Sequence, residues 1–175
     1  PNPNSSYHLN CLKSLTRTRE ALIKEKTRHI IHMTNVLDKM FPEFKPQFNN
    51  QGLNASSAMY LLENYGSPSK MANMTRASYD KMKSELRHAI SYAKFLKIKE
   101  LARNTIGNED EILVFELNTY LELFKELDKK ILEVEDKITK EFSIMKCHMT
   151  SIKGIGIITA AGILAEIESI DRFDN

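Results

Sequence analysis

The stretch EDEILVFELNTYLELFKELDKKILEVEDKITKEFSIMKCH, residues Glu109–His148, decides the fold. Leu117, Phe124, Ile131, Ile138 and Met145 recur every seven residues, and Leu113, Tyr120, Leu127 and Val134 fill the second seam position. An apolar repeat of this kind, sustained over four heptads, predicts one long helix with a coiled-coil seam. Lys130 and Glu135 sit where flanking charges pair across a parallel dimer. A helix packed lengthwise inside one chain presents a similar stripe, and both readings stand. Leu121, Leu123, Phe142 and Ile144 widen the face beyond a two-stranded seam, which suits a bundle or a coiled coil with additional packing. Glu109, Asp110 and Glu111 open the helix at the positive end of its dipole. Consecutive residues point in different directions around a helix, so these acids read as a capping cluster and not as metal ligands.

Toward the N-terminus the same period continues. Leu15, Leu22, Ile30, Met33 and Leu37 predict a helix from about Tyr7 to Met40, with Lys13, Arg17, Arg19, Lys24, Lys26 and Arg28 between them. Pro42 and Pro46 end it and start an irregular, Asn-rich stretch through Gly52. Asn54 is placed to cap a short helix to Tyr65, with Gly66 as its left-handed stop. Ser67-Pro68 reads as cap and first position of another short helix. Thr75 is placed to cap a third long helix, about Arg76 to Ile106, with Tyr79, Met82, Leu86, Ala89, Ala93 and Leu96 as its apolar face. On such a helix Lys83, Arg87, Lys94 and Lys97 would lie within roughly 80° of one another.

Toward the C-terminus, Thr150–Ile167 joins the end of the long helix to a helix of small residues through Lys153-Gly154-Ile155-Gly156-Ile157. This pattern matches a helix-hairpin-helix-like unit. Gly154 can turn the chain at positive φ, Gly156 lets backbone approach a phosphate, and the unpaired N–H groups at the new helix start face outward. Such a unit grips nucleic-acid backbone without reading bases. A tight helix-to-helix turn without a ligand uses the same residues. A Gly-x-Gly nucleotide site requires a preceding strand, and a helix precedes this one.

The composition agrees with an all-α chain of long antiparallel or coiled-coil helices: 6 Gly, 5 Pro and no Trp in 175 residues. Two cysteines, Cys11 and Cys147, cannot build a disulfide framework, and free thiols suit a reducing cytoplasm. The most apolar run, Ile155 to Ala165, is too short to cross a bilayer. The net charge of +2 hides a split. Residues 1–108 hold 17 Lys/Arg against 8 Asp/Glu, and residues 109–175 hold 8 against 15. A basic front half suggests a polyanionic partner; equally, a basic helix can lie against an acidic one. His29 and His32 share a helix turn, but without a third ligand nearby they read as surface or interface histidines. No cluster of carboxylates and no Ser/His/Asp arrangement points to catalysis or to a metal. The chain begins at Pro1 with no initiator Met and reads as cut from a longer protein.

The string SIKGIGIITAAGILAEIESIDRFDN, residues 151–175, resembles the start of the C-terminal domain of the insertion sequence 110 family of transposases (grouped with 116 and 902). Ile152, Gly154, Ile155, Gly156, Thr159, Ala160, Ala165, Glu166, Ile167, Ile170, Arg172 and Phe173 fit; Lys153 stands where Pro is usual. At the front, Arg17, Arg19, Glu25, Thr27, Arg28, Leu37, Phe41 and Pro42 carry a resemblance to the family's basic helix. The resemblance implies a parent with an acidic, Mg²⁺-binding RuvC-like nuclease domain upstream and a nucleophilic serine downstream. It also implies DNA as substrate and, in characterised members, a guide RNA.

Residues 1–50 are then expected to be the basic tail of the nuclease domain with an irregular linker, and 51–108 a helical middle region. Residues 109–148 are the expected coiled coil, and 149–175 the entry to the transposase domain. The expected function is nucleic-acid binding through Arg17, Arg19, Lys24, Arg28, Lys153, Gly154, Gly156 and Ile157, with self-association through 109–148. The fragment itself is expected to be catalytically inactive, with no cofactor of its own. The alternative is a helical coiled-coil scaffold that binds no nucleic acid.

Overall fold

A computed structural model of the chain describes residues 3–145 and 156–170. It is all-α. The elements are α1 (Pro3–Met40), a 3-10 segment (Lys45–Asn54), α2 (Ser56–Asn64), α3 (Pro68–Ala72), α4 (Arg76–Glu85), α5 (Tyr92–Arg103), α6 (Glu111–Ile144) and α7 (Ile157–Ile170), with no strand among the described residues. Phe41 N–H still bonds back to the Leu37 carbonyl at 2.6 Å, and Pro42, which has no N–H, cannot continue α1. The chain forms two compact units, Pro1–Lys26 with Glu126–Asn175, and Thr27–Lys125.

In the first unit the front of α1 runs antiparallel to the end of α6. Pairs fall in number on one helix as they rise on the other: His8 with Glu141, Arg19 with Glu135, Lys26 with Asp128. Leu12, Ile138, Phe142, Ala160 and Ala161 form the core, with Leu15, Val134 and Ile158 packed around it. Alanines at 160 and 161 are fully buried, so α7 docks through its smallest side chains, which permits close approach of backbones. Position 162 does not require a glycine, because a Cβ placed there would sit 3.9 Å from Thr16 Cγ2, an ordinary contact.

The second unit holds the rest of α1, the four short helices and the front of α6. Its core includes Met33, Leu37, Phe41, Phe44, Leu61, Phe95 and, from α6, Leu117, Leu121 and Phe124. Three end signals act as the sequence predicts. The Ser67 side chain accepts from Lys70 N–H, Thr75 and Ser78 form a reciprocal capping box, and Gly66 has φ of +64°. The cap of α2 differs. Ala55, not Asn54, is its N-cap, and no side chain caps it.

The expected single helix from Arg76 to Ile106 is two helices. Leu86 is extended (φ −107°, ψ 125°), and Ser91 caps a fresh start by accepting from Lys94 N–H. The break is held by tertiary bonds: Ile90 N–H donates to Ser57 Oγ at 3.0 Å, and Tyr79 Oη–H donates to the Ile90 carbonyl at 3.3 Å. It resets the helical phase. Phe95, Ile98 and Ala102 are buried on α5, whereas Ala93 and Leu96 are exposed. Lys83 and Arg87 therefore do not share one helical face with Lys94 and Lys97.

The α5–α6 connection is fastened to the end of α1. Glu43 accepts from the Thr105 hydroxyl at 2.7 Å and from Ile106 N–H at 3.0 Å, and Asn108 N–H reaches the Lys39 carbonyl. Burial pushes the Glu43 carboxyl up, but these hydrogen bonds outweigh it and hold the group below its ordinary value. A Cβ at Gly107 would lie 2.2 Å from the Met40 carbonyl oxygen and 2.9 Å from Pro42 Cδ.

Candidate nucleic-acid interface

The basic residues of α1 divide by helical angle. At about 100° per residue, Lys13, Arg17 and Lys24 lie within roughly 40° of each other, and Arg19 and Lys26 lie close together on the other side. That second pair faces α6. Arg19 Nε donates to Glu135 Oε1 at 2.6 Å with both side chains about three-quarters covered, and Lys26 pairs with Asp128. Arg17 and Lys24 are exposed and hold no partner among the described residues. Arg28, in the other unit, is exposed as well. Thus two of the four α1 site residues, Arg17 and Lys24, form an open cationic strip on the first unit, whereas Arg19 is committed to an internal ion pair. The internal pairing of basic with acidic helix accounts for one face of α1, and the opposite face leaves Arg17 and Lys24 exposed.

Of the C-terminal site residues, Lys153 and Gly154 lie outside the described residues. Gly156 directly precedes α7, its carbonyl accepts from Ala160 N–H at 2.9 Å, and nothing lies within 4 Å of where its Cβ would be. Ile157, the first residue of α7, is 39% exposed. The helix start predicted at Gly156-Ile157 is present and open to solvent. The preceding turn, including Ile155, is outside the described residues.

The seam of α6 is largely consumed inside the chain. Leu117, Phe124, Ile131 and Ile138 are all buried, and Leu113, Tyr120, Leu127 and Val134 are half-buried. What α6 leaves exposed is Ile112, Phe115, Leu123, Leu132 and Ile144. The two α1 histidines meet the seam too: the His32 ring stacks on Tyr120 at 4.7 Å and 14°, and His29 lies 6.0 Å from the same ring. They act as interface aromatics. Among the described residues, no three His, Cys, Asp or Glu side chains gather as a metal site would need, and no helix is long and apolar enough to cross a membrane.

One polar feature is not anticipated by the sequence reading. A cleft of about 440 Å³ opens between the 3-10 segment with α2 and the α4–α5 break, lined among others by Asn49, Gln51, Asn54, Ser56, His88 and Lys94. The Asn-rich composition of 49–54 is its one signal; by period alone the partner segment 88–94 reads as mid-helix.

Residues 147–175 match the model of the family described as Transposase IS116/IS110/IS902 family, which supports reading the chain as a transposase fragment. The structure describes 156–170 of that span. No curated protein and no solved structure matches the chain.

Proposed function

We propose that this chain, a transposase fragment of the IS116/IS110/IS902 family, is a nucleic-acid-binding and assembly part of its parent. The observation that carries the reading is the open strip of Arg17 and Lys24 on α1, on the face opposite the internally paired Arg19 and Lys26. Cations not used to hold the fold are available to neutralise phosphates and release counterions. The N–H groups at Gly156 and Ile157, before small-residue helix α7, add a backbone contact to phosphate. DNA is the expected ligand, with a guide RNA as a second nucleic-acid partner, and the work is cytoplasmic. Any Mg²⁺ belongs to the parent's nuclease domain.

Because its seam is spent internally, self-association through 109–148 would use exposed apolar residues such as Ile112, Phe115 and Leu123, which lie within roughly 80° on α6. The rival, a helical scaffold without nucleic-acid binding, draws its support from the Arg19 and Lys26 pairs.

The deciding measurement is affinity for short duplex and single-stranded DNA across a salt series. Arg17→Glu with Lys24→Glu should weaken binding and flatten the salt slope by about 0.7–0.9 for each phosphate that is no longer neutralised. Arg19→Ala should leave the slope unchanged. Wild-type protein without measurable salt-sensitive binding would favour the scaffold.

A further inference from the structure

We propose that the cleft between the 3-10 segment with α2 and the 88–94 segment is a nucleotide-binding site, taking the phosphate with Lys94 and His88 and the base edge with the amides of Asn49, Gln51 and Asn54. The inference rests on the nucleic-acid reading above and adds a second, separate site to it.

The cleft has the size of a small-ligand pocket, about 440 Å³. Two of its polar groups serve the fold, Ser57 Oγ accepting from Ile90 N–H and Ser56 Oγ donating to the His88 carbonyl at 3.5 Å; the others do not. The side chains of Asn49, Gln51, Asn54, His88 and Lys94 hold no hydrogen bond or ion pair among the described residues. Side-chain amides offer a donor and an acceptor side by side, which is the pattern a base edge presents. Ala89 and Ile90 supply apolar surface for a ring face. Lys94 and the imidazole of His88 supply donors for an anion, and α2 begins beside them without a side-chain cap.

Two independent features mark the site as built. Ser57 is 2% exposed, lines the cleft, and accepts from Ile90 N–H, which leaves its hydroxyl proton without an acceptor among the described residues. Asn49 holds φ of +50° and ψ of −138°, a conformation rarely adopted by a residue with a side chain. Neither helix propensity nor core packing asks for an asparagine there, whereas its amide edge on the rim serves a ligand. Strain of this sort concentrates at ligand sites.

The shared chemistry, a phosphate joined to a base, is offered by a free mononucleotide and by one unit of a single strand. Amide NMR of the whole chain separates them, with adenosine, cytidine, guanosine and uridine monophosphates, inorganic phosphate and a single-stranded ten-nucleotide oligomer as probes. Expected are shifts at 49–57 and 88–94 with at least one mononucleotide, larger than phosphate alone gives, or with the oligomer alone if the strand is the source. Lys94→Met, which keeps the aliphatic stem, should weaken that binding about tenfold or more with helicity unchanged, as loss of one charged hydrogen bond does. Asn54→Asp, equal in shape, should alter the order of preference among bases. Shifts equal for phosphate and nucleotides would overturn the base-reading claim. Oligomer shifts confined to α1 would overturn the cleft and leave the Arg17 and Lys24 strip standing. No shifts anywhere would remove both.

Discussion

Arg19 Nε lies 2.6 Å from Glu135 Oε1, an ion pair that ties α1 to α6 in the first unit. Both side chains keep about a quarter of their surface in water, so the pair stabilises modestly. Arg19→Ala should cost about 0.5–1 kcal/mol in chemical denaturation. Arg19→Glu should cost more, because it sets two carboxylates together. Exchanging the charges, Arg19→Glu with Glu135→Arg, should recover most of the loss. Equal stability of the single reversal and the exchange would show the pair to be without effect.

Ile138 is 1% exposed between α1, α6 and α7 neighbours, whereas Leu123 is 46% exposed. Ile138→Ala should therefore destabilise by about 2–4 kcal/mol, from lost burial and a residual cavity. Leu123→Lys should leave thermal stability within about 0.5 kcal/mol of the parent. Sedimentation of the Leu123 variant tests assembly separately. If the chain self-associates through the open side of α6, this variant shifts toward monomer while its melting temperature holds.

Glu109 accepts from both N–H and Oγ of Ser69, at 2.7 and 2.6 Å. Burial pushes its carboxyl up, but Ser69's two hydrogen bonds, aided by Ser67 and Lys70, bring the net value below the ordinary one. A carboxyl lowered in the folded state contributes stability above its unfolded value, near 4.3, and loses it as pH falls through the folded value. Glu43 behaves alike. Stability measured from pH 7 downward should thus fall through the acid range. Glu43→Gln should make that fall shallower and lower the neutral plateau by about 1 kcal/mol, since an amide nitrogen cannot accept from Thr105.

Purified chain should cleave no DNA with or without Mg²⁺. Two-metal chemistry needs carboxylates converging on one point; along α6, Asp128, Glu135 and Glu141 instead pair one by one with α1, and Glu133 and Asp136 pair with lysines of α6 itself. Nicking that survives repurification and vanishes on substitution of Glu135, Asp128 or Glu141 would contradict this.

The long helices, the caps at Ser67 and Thr75 and the stop at Gly66 were legible because each is set locally, by period or by one side chain. The division of α4 from α5 was not. Neither Gly nor Pro occurs between Leu86 and Ser91, and the break depends on Ser57 and Tyr79, which only folding brings to Ile90. Period alone could not say whether the α6 seam meets a second chain or α1, because both partners ask for the same spacing. For the cationic strip the information was present: the angle separating Arg17 and Lys24 from Arg19 and Lys26 follows from numbering. What numbering lacks is the acid opposite, Glu135 or Asp128, that turns one set inward.

Gly107 works as a gauge block. With 2.2 Å between its hypothetical Cβ and the Met40 carbonyl oxygen, the site admits hydrogen and nothing larger. A saturation library would leave this column empty, even though the neighbouring Ile106 is 88% exposed and should accept most residues. The hydrogen bonds of Glu43 to Thr105 and Ile106, and of Asn108 to Lys39, would all be prised open together by one methyl group. Alanine at 107 would therefore act as a wedge with leverage on the start of the longest acidic helix, from a position that lies before its first turn.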